Sequence, residues 1–184
     1  MIYVFTGNGK GKSTAAIGMG IRAVGAGRKV LMIQFLKTRE LTSENKAIEK
    51  VEGFNIRSFG RKGFFLPKSE LEKRPKLKKQ GIKPFSQIDF KLAKEGFDLA
   101  KEVGQSKRCG LLILDEINLA THFGLIDRKE VLDFLKKYGE KLDMVLTGRH
   151  CPKEIVKIAD LVTEMKEVRH YYRRGVKAKK GIEY

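Results

Sequence analysis

Nine residues near the start of the chain, Thr6-Gly7-Asn8-Gly9-Lys10-Gly11-Lys12-Ser13-Thr14, have the types and spacing of a phosphate-binding loop. They follow a short apolar run and open a helical pattern, the strand–loop–helix setting such a loop needs. Glycines let successive backbone N–H groups curl around an anion, because φ must be free and a side chain would clash. The helix N-terminus adds partial positive charge. Lys12 can then reach the outer phosphates, and the Ser13 hydroxyl can ligate Mg²⁺. In the register of the general pattern G-x-x-x-x-G-K-[ST], Thr6 stands where the first glycine belongs. A glycine-rich turn without a ligand is the plain alternative. The Gly11-Lys12-Ser13 run between strand and helix favours a nucleotide phosphate site.

A second constellation is Leu111-Leu112-Ile113-Leu114-Asp115-Glu116, an apolar strand ending in two carboxylates. In a parallel sheet, ligands gather beyond the carboxyl ends of the strands, so these acids are expected to face the same crevice as the loop. One carboxylate there can hold Mg²⁺ (or Mn²⁺) directly or through water, while the second bridges or acts as base. The alternative is an Asp that only caps the following turn. Loop and acids together imply binding of Mg-ATP or a relative, and leave hydrolysis, kinase chemistry and alkyl transfer all open.

These residues need a rigid frame. The chain has 184 residues, 41% hydrophobic and 33% charged, a composition for one domain, 1–184, with its own core. Cys109 and Cys151 are too few and too far apart for a disulfide scaffold or a zinc site. No apolar run approaches the ~20 residues of a membrane helix. Net charge is +17, from 39 Lys and Arg against 22 Asp and Glu, which suits a polyanionic or phosphate-rich partner. No basic leader or cleavage site precedes the first apolar run, and unpaired cysteines fit a reducing cytoplasm.

Short apolar runs predict strands at Ile2–Thr6, Val30–Phe35, Phe54–Phe59, Leu111–Leu114, Met144–Thr147 and Leu161–Thr163. Helical patterns lie between them at Ser13–Val24, Ser43–Val51, Gln87–Val103, Arg128–Tyr138 and Lys153–Ala159. The alternation predicts an α/β fold with a mostly parallel central sheet covered on both faces, and the phosphate-binding loop makes the expected form a three-layer α/β/α P-loop (RecA-like) fold. Residues 61–84 break the rhythm. They hold three prolines, the Phe64-Phe65 pair and a run of Lys and Arg opposed only by Glu70 and Glu72. A stretch this long is expected to be a basic loop, either solvated or acting as a lid over an anionic ligand.

Beyond the bare loop, the run Phe5 to Ala16 resembles the P-loop-type ATP:corrinoid adenosyltransferases of the vitamin B12 pathway. Arg22-Ala23-Val24-Gly25, Gln34-Phe35-Leu36-Lys37, Leu114-Asp115-Glu116 and Thr147-Gly148-Arg149 follow at the family's spacing. So do Ala159 to Met165, His170 and the tail Gly175 to Tyr184, so the resemblance covers nearly the whole chain.

The resemblance implies that a cobalt(I) corrinoid attacks the 5′-carbon of ATP and expels tripolyphosphate. It assigns Gly7, Asn8, Gly9, Lys10, Gly11, Lys12, Ser13 and Thr14 to the phosphates. Lys10 and Lys12 would neutralise the leaving group. Ser13 and Glu116 would hold the metal, with Asp115 behind them. Arg149 would touch phosphate or ribose, or form a structural ion pair. It implies ATP bound in reverse relative to ordinary P-loop enzymes, with Thr6 and the extra Lys10 as marks of that cradle. Phe64 and Phe65 stand where the family's aromatic loop meets the corrin, although that loop usually carries a Trp, and one of them could serve the core instead. Members also begin with a segment that helps cover the corrin, whereas here the phosphate strand starts at residue 2. A homodimer and a reducing partner such as a flavoprotein are implied as well.

Two other readings fit the same residues. Net charge and the basic stretch suit a nucleic-acid-associated ATPase, but few aromatic residues are interleaved there for base stacking. A small-molecule kinase would release ADP rather than tripolyphosphate. His170 matches a family position and reads equally well as a packed or surface residue. His122, His150 and the cysteines suggest no metal site.

Overall fold

The strands sort their side chains by period two, and that alternation builds the molecule. A computed structural model describes residues 1–41, 43–106 and 108–182. In chain order the elements begin β1 (Ile2–Thr6), α1 (Lys12–Gly25), β2 (Val30–Phe35), α2 (Ser43–Ile48) and β3 (Phe54–Phe59). Next come β4 (Phe65–Leu66), α3 (Lys68–Lys73), α4 (Pro75–Lys79), β5 (Lys83–Pro84) and α5 (Gln87–Ser106). The chain continues with β6 (Leu111–Asp115), α6 (Ile117–His122), α7 (Arg128–Tyr138), β7 (Asp143–Thr147), α8 (Lys153–Ile158) and β8 (Leu161–Glu164).

Six strands form one sheet in the order β3-β2-β6-β7-β1-β8, and every pairing is parallel. Val4, Ile33, Phe35, Leu112, Leu114, Met144 and Leu146 face α5, α6, α7 and α8. Phe5, Val30, Met32, Leu111, Ile113 and Val145 face α1 and α2. The result is the expected three-layer α/β/α fold. Parallel strands bring their carboxyl ends to one edge, so Thr6, Phe35, Asp115 and Thr147 all emerge on the same side. The β6 and β1 strands, which carry the acids and the loop, are separated by β7 alone.

Most expected elements match to within a residue or two. The stretch 61–84 does not: it is two short helices and a two-stranded parallel ribbon, β4 with β5, rather than a plain loop. Pro67 and Pro75, which read as loop punctuation, start α3 and α4, where a missing N–H costs nothing. Leu71 of α3 is fully buried. Phe85 packs on Phe123 with ring centroids 5.7 Å apart. Arg61 stacks its guanidinium 3.7 Å from the Phe65 ring centre and bonds Asp89 of α5 through Nε at 2.8 Å and Nη2 at 2.5 Å.

That ion pair fastens the basic segment to the body. Burial pushes the Asp89 carboxyl up, but Arg61 and the Ser86 amide outweigh it and hold it below its ordinary value. A depressed folded value means the pair's stabilisation is whole above about pH 4 and is lost as pH falls through the folded value. Asp89→Asn removes the charge partner of Arg61, which keeps its bond to Ser86 Oγ, and should lower unfolding free energy by about 1.5–3 kcal/mol at neutral pH. It should also flatten the acid dependence below about pH 4. Denaturant unfolding at several pH values measures both effects, and unchanged curves would contradict them.

Candidate active site

The loop leaves β1 with Gly7 at φ 97° and enters α1 through Gly11 at φ 108°, both in the left-handed region that favours glycine. The chain after β8 presses on this loop. Met165 N–H donates to the Thr6 carbonyl at 2.8 Å, and Gly9 N–H donates to the Met165 carbonyl at 2.7 Å. A Cβ on Gly7 would lie 2.4 Å from the Met165 oxygen, so no other residue fits. The Asn8 side chain accepts from Glu167 N–H at 3.1 Å, and Lys10 Nζ donates to the Ile182 carbonyl at 2.8 Å. Lys12 is buried and folds back to donate to the Gly9 carbonyl at 2.5 Å.

Beside the loop, four elements converge on Asp115, which is wholly buried at the end of β6. Its Oδ1 accepts from Ser13 Oγ at 2.7 Å and from Thr147 Oγ1 at 2.6 Å. Its Oδ2 accepts from Lys37 Nζ at 2.7 Å and from Gln34 Nε2 at 3.3 Å. Register explains the convergence: Gln34 is the β-pair partner of Asp115, and Thr147 ends the other neighbouring strand. Each hydroxyl also accepts once, Ser13 from Lys37 at 3.0 Å and Thr147 from the Glu116 N–H at 3.0 Å. Ser58 Oγ donates to the Gln34 carbonyl at 2.9 Å and fixes the amide's orientation. Gln34 Nε2 also reaches Glu44 Oε1 at 3.4 Å, so the network extends outward through the amide while every Asp115 oxygen is matched by donors. Asp115 therefore does more than cap a turn.

Burial alone would raise the Asp115 carboxyl, but the Lys37 ammonium and the Thr147 and Ser13 hydroxyls more than offset it and hold it low. Lys37 is held high in return, as Asp115 and Glu116 outweigh its own burial. Glu116 differs: it sits at φ 62°, its side chain caps nothing, and burial with the neighbouring Asp115 charge raises its carboxyl. Burial lowers the Lys12 ammonium, with Arg149 and Lys37 adding to the effect against Glu116. Lys12, Lys37 and Arg149 thus share this edge with Asp115, Glu116 and, beyond Gln34, Glu44.

The structure brings Lys12, Ser13, Asp115 and Glu116 together. Thr14 and Arg149 are exposed, and Arg149 makes no salt bridge among the described residues. Phe64 and Phe65 part company: Phe64 is 78% exposed, while Phe65 is half-buried beneath Arg61. His122 stacks on His150 at 4.4 Å between centroids, which sets the turn after β7 beside α6. Of the resembling tail, Glu183 and Tyr184 lie outside the described residues. Motif reading gives no chemical role to Lys37, Gln34 or Thr147. Their signal is position, since each lies at or just beyond the carboxyl end of a strand beside β6.

Comparisons with known proteins agree with this geometry. The sequence profile of the family described as ATP:corrinoid adenosyltransferase BtuR/CobO/CobP matches residues 1–184. A corrinoid adenosyltransferase from Sinorhizobium is 36% identical over 185 residues, covering 100% of this chain and 80% of the relative. One from Escherichia coli strain K12 is 32% identical over 184 residues, covering 100% and 85%. Among solved structures, the flagellar accessory protein FlaH from Methanocaldococcus jannaschii superposes with a TM-score of 0.50 over 89% of this chain and 69% of its own. At 12% identity that likeness speaks for the α/β fold alone. With its whole length matched and the loop and acids assembled at one sheet edge, the chain belongs to the ATP:corrinoid adenosyltransferase family.

Proposed function

We propose that this protein transfers the 5′-deoxyadenosyl group of ATP to a cobalt(I) corrinoid, gripping the triphosphate with residues 7–14. The observation that carries the residue assignment is the placement of Lys12, Lys37 and Arg149 around Asp115 and Glu116, directly beside the loop. In the reaction the cobalt–carbon bond forms as the C5′–O bond breaks, and the bonding pair leaves with tripolyphosphate. The nucleophile has no proton to lose, so no side chain need act as base. What the site must supply is charge compensation for the leaving group, from Lys10, Lys12 and the loop amides. Lys12 swings off the Gly9 carbonyl to do so. The nucleotide lies reversed, with its ribose carbon outward; Thr6 and Lys10 support that reading.

A divalent ion fits the donor set. The Ser13 hydroxyl and the Glu116 carboxylate are hard oxygen donors, Asp115 orients Ser13 by a hydrogen bond, and a cation, Lys37, already stands there. When bound, Mg²⁺ would neutralise phosphate charge. The exposed Phe64 offers its face to the corrin, while Phe65 holds the ribbon in place under Arg61. The basic segment 61–84 serves as a lid over the substrates. A cytoplasmic homodimer served by a reducing flavoprotein completes the proposal. No helix among the described residues is long and apolar enough to cross a membrane.

Incubation with Mg-ATP and chemically reduced cobalamin under anoxic conditions should yield light-sensitive adenosylcobalamin and tripolyphosphate in equal amounts. ADP release indifferent to corrinoid would contradict the proposal. Lys12→Ala should cut turnover by about 10²–10³-fold or more while the protein stays folded. Retained turnover would remove Lys12 from the phosphate site. Phe64→Ala should weaken corrinoid use and leave the unfolding free energy within about 0.5 kcal/mol of the parent, as an exposed position allows. Phe65→Ala should cost about 1–2 kcal/mol of stability, because Arg61 loses its platform. Equal effects of the two substitutions on stability and turnover would refute this division of labour.

A further inference from the structure

Lys37 is placed at some cost. Leu36 takes φ 59°, a left-handed backbone that a leucine adopts only under compulsion, for roughly 1–2 kcal/mol. Gly60 makes the bend possible: a Cβ there would lie 2.4 Å from the Lys37 nitrogen and 2.6 Å from the Leu36 carbonyl carbon. Leu36 N–H is tied to the Phe59 carbonyl at 3.1 Å. The bend turns the lysine back over the sheet edge. Its ammonium lands 2.7 Å from Asp115 Oδ2 and 3.0 Å from Ser13 Oγ. The side chain keeps 24% of its surface exposed, against none for Asp115, so the lysine is the outer member of the pair.

That ammonium occupies the ground a divalent ion needs, on one of the ion's proposed ligands and on the carboxylate that orients it. We propose that Lys37 is a tethered counter-cation. It holds Ser13 and Asp115 in the nucleotide-free enzyme, excludes free Mg²⁺ from them, and passes to the phosphate chain when Mg-ATP arrives. Lys37 is a positioning residue in this account, and the inference rests on the metal reading given under Proposed function. The physical basis is competition between cations. Mg²⁺ gives up water reluctantly, so two protein oxygens already bonded to an ammonium are poor bait. A triphosphate changes both sides of the exchange, bringing oxygen ligands for the ion and new acceptors for the displaced lysine. Metal binding then depends on nucleotide, which keeps the buried Asp115 neutralised at every stage.

Mn²⁺ titrations followed by electron paramagnetic resonance, with and without ATP, test this. The parent protein should bind Mn²⁺ in the presence of ATP and show no site for Mn²⁺ alone. Lys37→Gln keeps hydrogen-bond donors near Asp115 and Ser13 but removes the charge. It should bind Mn²⁺ alone with a dissociation constant at least about tenfold below the highest Mn²⁺ concentration at which the parent shows no site, the lower end of what a close charge pair commands. Mn²⁺ should also raise its melting temperature without nucleotide, a gain that a merely structural lysine would not give. Lys37→Arg should behave as the parent. Nucleotide-independent Mn²⁺ binding by the parent overturns the inference whether or not Lys37→Gln folds, as does a folded Lys37→Gln with no gain. If no protein binds Mn²⁺ even with ATP, the metal reading itself falls and takes this inference with it.

Discussion

A carboxylate buried without water must be surrounded by donors, and in this protein that requirement organises the functional edge of the sheet. Asp115 lies at the end of a central strand with no exposed surface. It is satisfied only because a helix start, two neighbouring strands and a strained turn each deliver a donor. The parallel sheet makes this possible by bringing all the strand ends to one side. Ser13 connects the cluster to the phosphate-type loop, so the loop's position and the acid's satisfaction are a single structural problem.

The loop itself is held from the other side. The segment after β8 binds the Thr6 carbonyl and the Gly9 amide, and Lys12 is turned inward on its own loop. In this arrangement part of the loop's donor capacity is spent within the protein. A phosphate ligand must redirect it, and the charges favour that exchange. Burial makes the Lys12 charge harder to keep without an anionic partner, and Arg149 and Lys37 add to that effect. The overall excess of basic residues has a local counterpart at this edge.

Much of this could be read from residue order. Apolar runs with turn residues between them mark all six strands of the main sheet; the signal is strongest in β2, β6 and β7, where burial on both faces leaves near-continuous apolar runs, and weakest in the exposed edge strand β8. Gly11-Lys12-Ser13 and Asp115-Glu116 are legible for the same reason, each being a chemical motif at a strand end. The 61–84 region was opaque because its anchors are dispersed: one buried leucine, an arginine stacked on Phe65, and an aspartate further on in α5. Its prolines act as helix starts, which in sequence look the same as breaks. Lys37 stands in the Gln34–Lys37 run that contributes to the resemblance, but the run alone assigns it no role. Its role comes from the bend at Leu36 and the space left at Gly60, which exist only once β2 and β3 are paired.

The central claim is that the loop and the Asp115 cluster form one receptor for a metal-bound triphosphate. A crystal structure of the protein grown with Mg-ATP tests it most directly. The account predicts phosphate density along residues 7–14, the ion on Ser13 and Glu116, and Lys12 withdrawn from the Gly9 carbonyl to a phosphate oxygen. Nucleotide bound elsewhere, with Lys12 still on Gly9 and the Asp115 cluster unaltered, would contradict it.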